Sequence, residues 1–161
     1  IIEAKGLDTT IEKKESELEY RMYGMVPYNI SEIQKAIQFG HGVVEYQLEF
    51  GNRPEYLSKA KKDKTFIILN GGTTNFESGT LNGLIKKMSE EFPSLAKSFF
   101  YETDLGNQLT SVNFLVSELV WNKEKYPFNE ESTDEELIEL IGENFEEVIN
   151  LRNFLSQFRT A

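Results

Sequence analysis

The stretch Tyr20-Arg21-Met22-Tyr23-Gly24-Met25-Val26-Pro27-Tyr28-Asn29-Ile30-Ser31-Glu32-Ile33-Gln34 decides how the chain is read. Its first seven residues are rich in aromatic and branched side chains and run into Pro27, which cannot donate to a sheet ladder, so they read as a strand leaving its sheet. Ser31 then stands where a helix N-cap belongs. Gln34 follows three residues later to complete a capping box, and Ile30 is the hydrophobic staple before it. Ile33, Ile37, Gly40, Val44 and Leu48 recur at three- and four-residue spacing, which predicts a helix to Phe50 with that stripe buried. Gly40 and Gly42 weaken a free helix and so point to close packing. Gly51 closes it.

Working outward from this strand and helix, residues 54–60 predict a shorter second helix. Lys64 to Asn70 holds the continuous run Phe66-Ile67-Ile68-Leu69, expected of a strand buried on both faces. Residues 80–91 predict a third helix with Leu81, Leu84, Ile85, Met88 and Phe92 inside and Pro93 as its stop. Residues 96–101 and the alternation of Thr110, Val112, Phe114 and Val116 predict two more strands. The order β-α-α-β-α-β-β describes an α/β fold, a two-layer or three-layer sandwich on a four-stranded mixed sheet. Beyond it, residues 132–141 predict an acidic helix with Gly142 at its C-terminal end. Phe145, Val148, Leu151, Leu155 and Phe158 give the stripe of a last helix that docks on the core or on another subunit. Three regions follow: an appendage over residues 1–19, an α/β core over 20–129, and an acidic helical tail over 130–161.

The 161 residues include 27 acidic and 17 basic side chains, a net charge of −10. Residues 130–161 alone carry 9 acidic and 2 basic groups, whereas residues 21–129 carry 12 of each, so the acidity belongs to the ends. A neutral core admits an anionic small molecule, while the total disfavours a broad nucleic-acid surface, tRNA included. With no cysteine and only His41, neither a disulfide framework nor a zinc site can be built, and no metal or cofactor is expected. The four-residue run at Phe66 is far short of the roughly 20 residues of a membrane helix. No secretory pattern opens the sequence, and a soluble cytoplasmic protein is expected.

Chemistry-bearing residues gather in four places. Gln34, Gln38, His41 and Glu45 share one helical face, where a polar stripe with the single imidazole can place hydrogen bonds or a general base. Asn70-Gly71-Gly72-Thr73-Thr74-Asn75 follows a strand, and its glycine N–H groups and polar side chains suit phosphate or ribose oxygens at the carboxyl end of a sheet. It lacks the spacing of a dinucleotide fingerprint or a P-loop. Asp104-Leu105-Gly106-Asn107-Gln108 is a hairpin turn whose Asp104 can orient His41 or accept from a ligand hydroxyl. Tyr28 and Asn29 would face the same end of the sheet and offer a stacking ring and an amide.

These residues resemble a family. The element order from Tyr20 to Ser117, Gln38-Phe39-Gly40-His41-Gly42 on the first helix and Asp104-Leu105-Gly106-Asn107 before the last strand are similar to the archaeal and eukaryotic type of peptidyl-tRNA hydrolase. That family carries a Lys-x-x-x-Gln-x-x-His-Ala pattern and an Asp-Ala-Gly-Arg-Thr motif at these places. The resemblance covers roughly 100 residues and implies hydrolysis of an aminoacyl ester with His41, Asp104 and Gln38 as catalytic groups. It also departs: Gln34 stands at the lysine position, beside Lys35, and Asn107 and Gln108 replace the arginine and threonine. A neutral amide cannot stabilise developing negative charge as an ammonium does, which is often worth several kcal/mol.

Tyr23 to Ser31, Leu69-Asn70-Gly71-Gly72-Thr73 and Asn122-Lys123-Glu124-Lys125-Tyr126-Pro127 also resemble proteins of large tailed bacteriophages, implying a bacterial host cytoplasm. The expectation is a protein that holds a nucleotide-derived molecule, such as an immune signalling nucleotide, on Tyr28, Asn29, Gln34, Gln38, His41, Asn70, Gly71, Gly72, Thr73, Thr74, Asp104, Asn107 and Gln108, without efficient catalysis. Peptidyl-tRNA hydrolysis is the alternative, and a module acting through its acidic tail is the third reading. Self-association through the C-terminal helices is the expected oligomer.

Overall fold

A computed structural model of the chain describes residues 18–62, 64–73, 81–129 and 131–161. The predicted appendage over residues 1–19 lies almost wholly outside the described residues, and so does Thr74. Strand β1 (Tyr20–Val26) ends at Pro27, and α1 (Glu32–Phe50) starts where the cap predicts, with the Gln34 N–H donating to Ser31 Oγ at 3.2 Å. After α2 (Pro54–Lys62) comes β2 (Phe66–Asn70), then α3 (Leu81–Glu91), β3 (Lys97–Glu102) and β4 (Gln108–Ser117). A short α4 (Glu118–Trp121) leads to α5 (Asp134–Leu140) and α6 (Phe145–Leu155).

The strands form one mixed sheet in the order β2-β1-β4-β3, with β1 parallel to β2 and antiparallel to β4, and β3 antiparallel to β4. A parallel pair needs a crossover, and α1 with α2 supplies it on one face. The chain crosses back through α3 on the other face. Side chains alternate accordingly: Met22 and Val26 of β1 join Phe39, Tyr46 and Leu115 under α1, while Met25 joins Leu81, Met88, Phe92 and Phe114 on the opposite side. Of the two expected sandwiches, the three-layer one is observed. Among the described residues no helix is long and apolar enough to cross a membrane.

Two features depart from the sequence reading, and a third decides between alternatives it left open. The first is the rotation of α1. The stripe expected inside is outside: Ile33 is 74% exposed, Ile37 42%, Val44 53% and Leu48 76%. The buried residues are Lys35, Gln38, Phe39, Gly42 and Tyr46, so the helix sits about half a turn round from the expected setting. Two aromatic rings supply the volume this interface needs, and Gly42 lets the helix backbone approach the sheet: a Cβ there would collide with the Asn113 amide. Gly24 does the same from the sheet side, where a Cβ would meet the Phe39 ring.

The second concerns which strand is enclosed. The apolar run of β2 lies at a sheet edge with Phe66 half-exposed, and it is β4 that is buried from Leu109 to Val116. The last residues of the chain shield the β2 edge: Asn70 N–H donates to Arg159 O and Ala161 N–H to Ile68 O, both at 2.8 Å, around an antiparallel bridge between Leu69 and Thr160. Such cover removes a free ladder edge.

The third settles where the tail goes. Val148, Leu151, Phe154 and Leu155 of α6 complete the core on the α3 side of the sheet, so the stripe expected to bind either the core or a second subunit is consumed by its own chain. Arg152 locks this docking by donating to the carbonyls of Val120 at 2.9 Å, Tyr126 at 3.1 Å and Leu119 at 2.7 Å. Gly142 takes a φ of 124° after α5, the role its sequence position suggests.

Candidate functional site

The interface between α1 and the β3–β4 half of the sheet is polar, and a β-bulge builds it. Phe100 pairs with Ser111 and Tyr101 with Leu109, leaving Thr110 as the extra residue. A bulge turns consecutive side chains toward one face. Thr110 and Ser111 both point at α1, joined by Asn113 and Ser98, and all four are enclosed.

Each of these enclosed side chains has a partner, as the cost of leaving one unpaired requires. Thr110 Oγ1 donates to Gln38 Oε1 at 2.5 Å, while Gln38 Nε2 donates to Gln34 Oε1 and Glu102 Oε1, both at 3.3 Å. Deeper in, Ser111 Oγ donates to Asn113 Oδ1 at 2.5 Å, Asn113 Nδ2 to Phe39 O at 3.4 Å and Ser98 Oγ to Gly42 O at 2.9 Å. Gln38 is wholly buried, and its amide is held at both ends in one orientation. It links the interior to the surface groups Gln34 and Glu102. Gln34 therefore gives its backbone N–H to the Ser31 cap and its side-chain oxygen to Gln38.

His41 lies one turn further along α1, where its ring stacks on Phe100 at 4.6 Å between centroids. Asp104 sits in a single 3-10 turn after β3 and is exposed. Among the described residues no hydrogen bond or ion pair joins His41 to Asp104 or to any other carboxylate. Asn107 adopts φ 58° beside Gly106 at φ 68°, and its N–H donates to Glu102 O at 2.9 Å, after which Gln108 opens β4 opposite Glu102. The hairpin is thus shaped by the turn chemistry its residues favour. Lys35, next to Gln34 in sequence, faces inward with its ammonium 3.0 Å from Glu32 Oε1.

The remaining predicted residues gather at the same end of the sheet but at its far edge. Gly71 N–H donates to Val26 O at 2.8 Å, Tyr28 N–H to Gly72 O at 2.9 Å and Leu81 N–H to Thr73 O at 3.1 Å, so part of the expected anion cradle is already used by the chain itself. Gly72 has φ 111°, Tyr28 and Asn29 are exposed, and Asn70 Oδ1 is buried with no partner. Three strand spacings separate this group from the hairpin, roughly 14 Å. The predicted residues therefore form two clusters: Gln34, Gln38, His41, Asp104, Asn107 and Gln108 at the β3 edge, and Tyr28, Asn29, Asn70, Gly71, Gly72 and Thr73 at the β2 edge.

Glu102, Ser98, Ser111 and Asn113 were not singled out from the sequence, and Thr110 was read only as a strand residue. The signal is the sequence Thr110-Ser111-Val112-Asn113 inside a strand otherwise built from Leu, Val and Phe. Three polar residues there need partners across a helix, and Gln38 and the Phe39 and Gly42 carbonyls supply most of them. Among the described residues no three His, Cys, Asp or Glu side chains are grouped as a metal site. No known family model and no curated protein matches this chain.

Proposed function

We propose that the protein binds a nucleotide-derived small molecule at the polar end of its sheet without turning it over. The observation that carries this reading is the enclosed Gln38 amide, fixed by Thr110, which holds the side chains of Gln34 and Glu102 in place at the surface. Preorganised neutral groups of this kind orient a ligand at little entropic cost. The neighbouring groups favour retention over turnover: His41 stacks on a phenylalanine with no carboxylate bonded to it among the described residues, and the Lys35 ammonium is occupied by Glu32. Glu102, Asp104 and the Asn107 and Gln108 amides suit the hydroxyls of a ribose or the edge of a base. The loop around Gly72, roughly 14 Å away, suits the other end of an elongated molecule. A cyclic dinucleotide or an ADP-ribose derivative has that reach. The resemblance of Tyr23 to Ser31 and Leu69 to Thr73 to tailed-phage proteins supports one setting for this reading, sequestration of a signalling nucleotide in a bacterial host.

Native mass spectrometry of freshly purified protein, with identification of any released molecule, tests the reading. A thermal shift with nucleotides, cyclic dinucleotides or ADP-ribose that disappears in Gln38→Leu supports it. The absence of a shift with all of them, or release of peptide from peptidyl-tRNA that is lost in His41→Ala, refutes it.

A further inference from the structure

The outward face of α1 carries an uncharged stripe that nothing described in the chain covers. Ile33, Ile37, Gly40, Val44 and Leu48 follow one another at spacings of four, three, four and four, and all five are exposed. Of the ten large apolar side chains exposed among the described residues, four lie on this one line. Scattered apolar residues on a surface are ordinary, but a continuous row along a helix marks a contact face. It lies on the face of α1 turned away from the enclosed Gln38 and its partner Glu102.

We propose that this stripe is the interface of a two-fold symmetric dimer in which the α1 helices of two copies pack antiparallel. The order of side chains argues for a second copy as the occupant. From Gly40 outward in either direction the stripe reads large, large: Val44 and Leu48 one way, Ile37 and Ile33 the other. A two-fold axis beside Gly40 therefore sets large residues against large ones and glycine against the neighbourhood of glycine, the self-complementarity that an isologous contact requires. At the centre a Cβ on Gly40 would meet nothing within 4 Å among the described residues, so their packing does not call for a glycine there. Helix axes approach closely where the contacting side chains are small, and a mid-helix glycine otherwise costs about 1 kcal/mol against alanine.

The area sets the strength. Nineteen helical residues span about 28 Å, and a strip about 10 Å wide offers roughly 300 Å² per copy. That is under the roughly 800 Å² per partner of a standard interface. A weak, reversible dimer follows. Each copy carries a net charge of −10 while the stripe has none, so association tightens with salt as screening removes long-range repulsion.

Sedimentation velocity of the full chain over about 1 to 500 μM tests this, at about 0.02 and about 0.3 M salt, a range that spans the change in screening. The wild type should pass from monomer to dimer, more readily at the higher salt. Ile37→Glu and Val44→Glu should each weaken association about tenfold or more, as loss of a central contact does. Gly40→Leu should do the same while leaving the monomer's melting temperature unchanged or higher, because its side chain enters open space in the monomer. A monomer at every concentration overturns the proposal, as does a dimer indifferent to Ile37→Glu. A monomer that Gly40→Leu destabilises would assign the stripe to a segment of the same chain and likewise overturn it.

Discussion

Two glycines two residues apart on α1 should respond to alanine with opposite signs. Gly40→Ala places its methyl in open space, so only the helix-propensity gain acts, about 0.8 to 1.0 kcal/mol of added stability. Gly42→Ala has the same gain, but its methyl is driven into the Asn113 amide and the Ser111 hydroxyl. Asn113 cannot swing aside freely, because it is wholly buried, donates to Phe39 O and accepts from Ser111. Overpacking at such a site costs about 1 to 3 kcal/mol, and a displaced buried amide adds about 1 to 3 kcal/mol if its partners are lost. The net loss should be about 2 kcal/mol or more, and the two variants should differ by about 3 kcal/mol. Urea unfolding followed by far-UV circular dichroism at low micromolar protein, where the monomer dominates, measures both. At about 2 to 4 °C per kcal/mol for a chain of this size, the melting temperatures should differ by about 6 to 12 °C. A destabilised Gly40→Ala with a tolerated Gly42→Ala would mean that α1 buries the opposite face, and the polar interface described above would be refuted.

Other outcomes follow from single contacts. Gln38→Leu leaves the buried Thr110 hydroxyl only the long 3.5 Å contact to Phe100 O and should cost about 1 to 3 kcal/mol, whereas adding Thr110→Val should recover part of the loss; additive losses in that double-mutant cycle would deny the contact. Arg152→Lys cannot reach the three carbonyls that the guanidinium bridges and should lower stability by about 2 to 4 kcal/mol in urea unfolding; a neutral result would mean that the tail docks without that clamp. Alkali should unfold the protein early. Burial raises the Tyr46 and Tyr23 phenols, and the Glu118 carboxylate raises the Lys125 ammonium. Groups whose folded pKa is raised bind more protons folded than unfolded, so their stabilisation is complete below their unfolded values of about 10 to 10.4 and is lost as pH climbs past them. Lys97, lowered by burial, works weakly in the other direction. Melting temperatures should therefore fall above about pH 10, less steeply in Tyr46→Phe, and a melting temperature that rises there would contradict the assignment.

Local chemistry was legible wherever a residue's own backbone preference or cap settles the matter. Pro27 ending β1, Ser31 opening α1, Gly51 and Gly142 closing helices, and the turn at Gly106 and Asn107 all stand where the sequence indicates. The last helix was legible too, because Val148, Leu151 and Leu155 leave it only one face to bury. Of the site, Gln38 and His41 were found through their shared helix face. The partners of Gln38 were not, since Glu102 and Thr110 lie 64 and 72 residues away in sequence.

The sequence by itself therefore determined the order of elements, their ends and the α/β class, because caps, turn residues and apolar periodicity act within a few residues of one another. Only the tertiary structure decided which face of α1 turns inward, which strand is enclosed and where the tail docks. Hydrophobicity alone would have buried Ile33, Ile37, Val44 and Leu48. The sheet selected Phe39, Gly42 and Tyr46 instead, because shape and the pairing of Thr110, Ser111 and Asn113 are satisfied only on that side. Each of those polar groups would cost about 1 to 3 kcal/mol if left unpaired, and together these costs outweigh the gain from burying a few more methylenes at about 0.8 kcal/mol each.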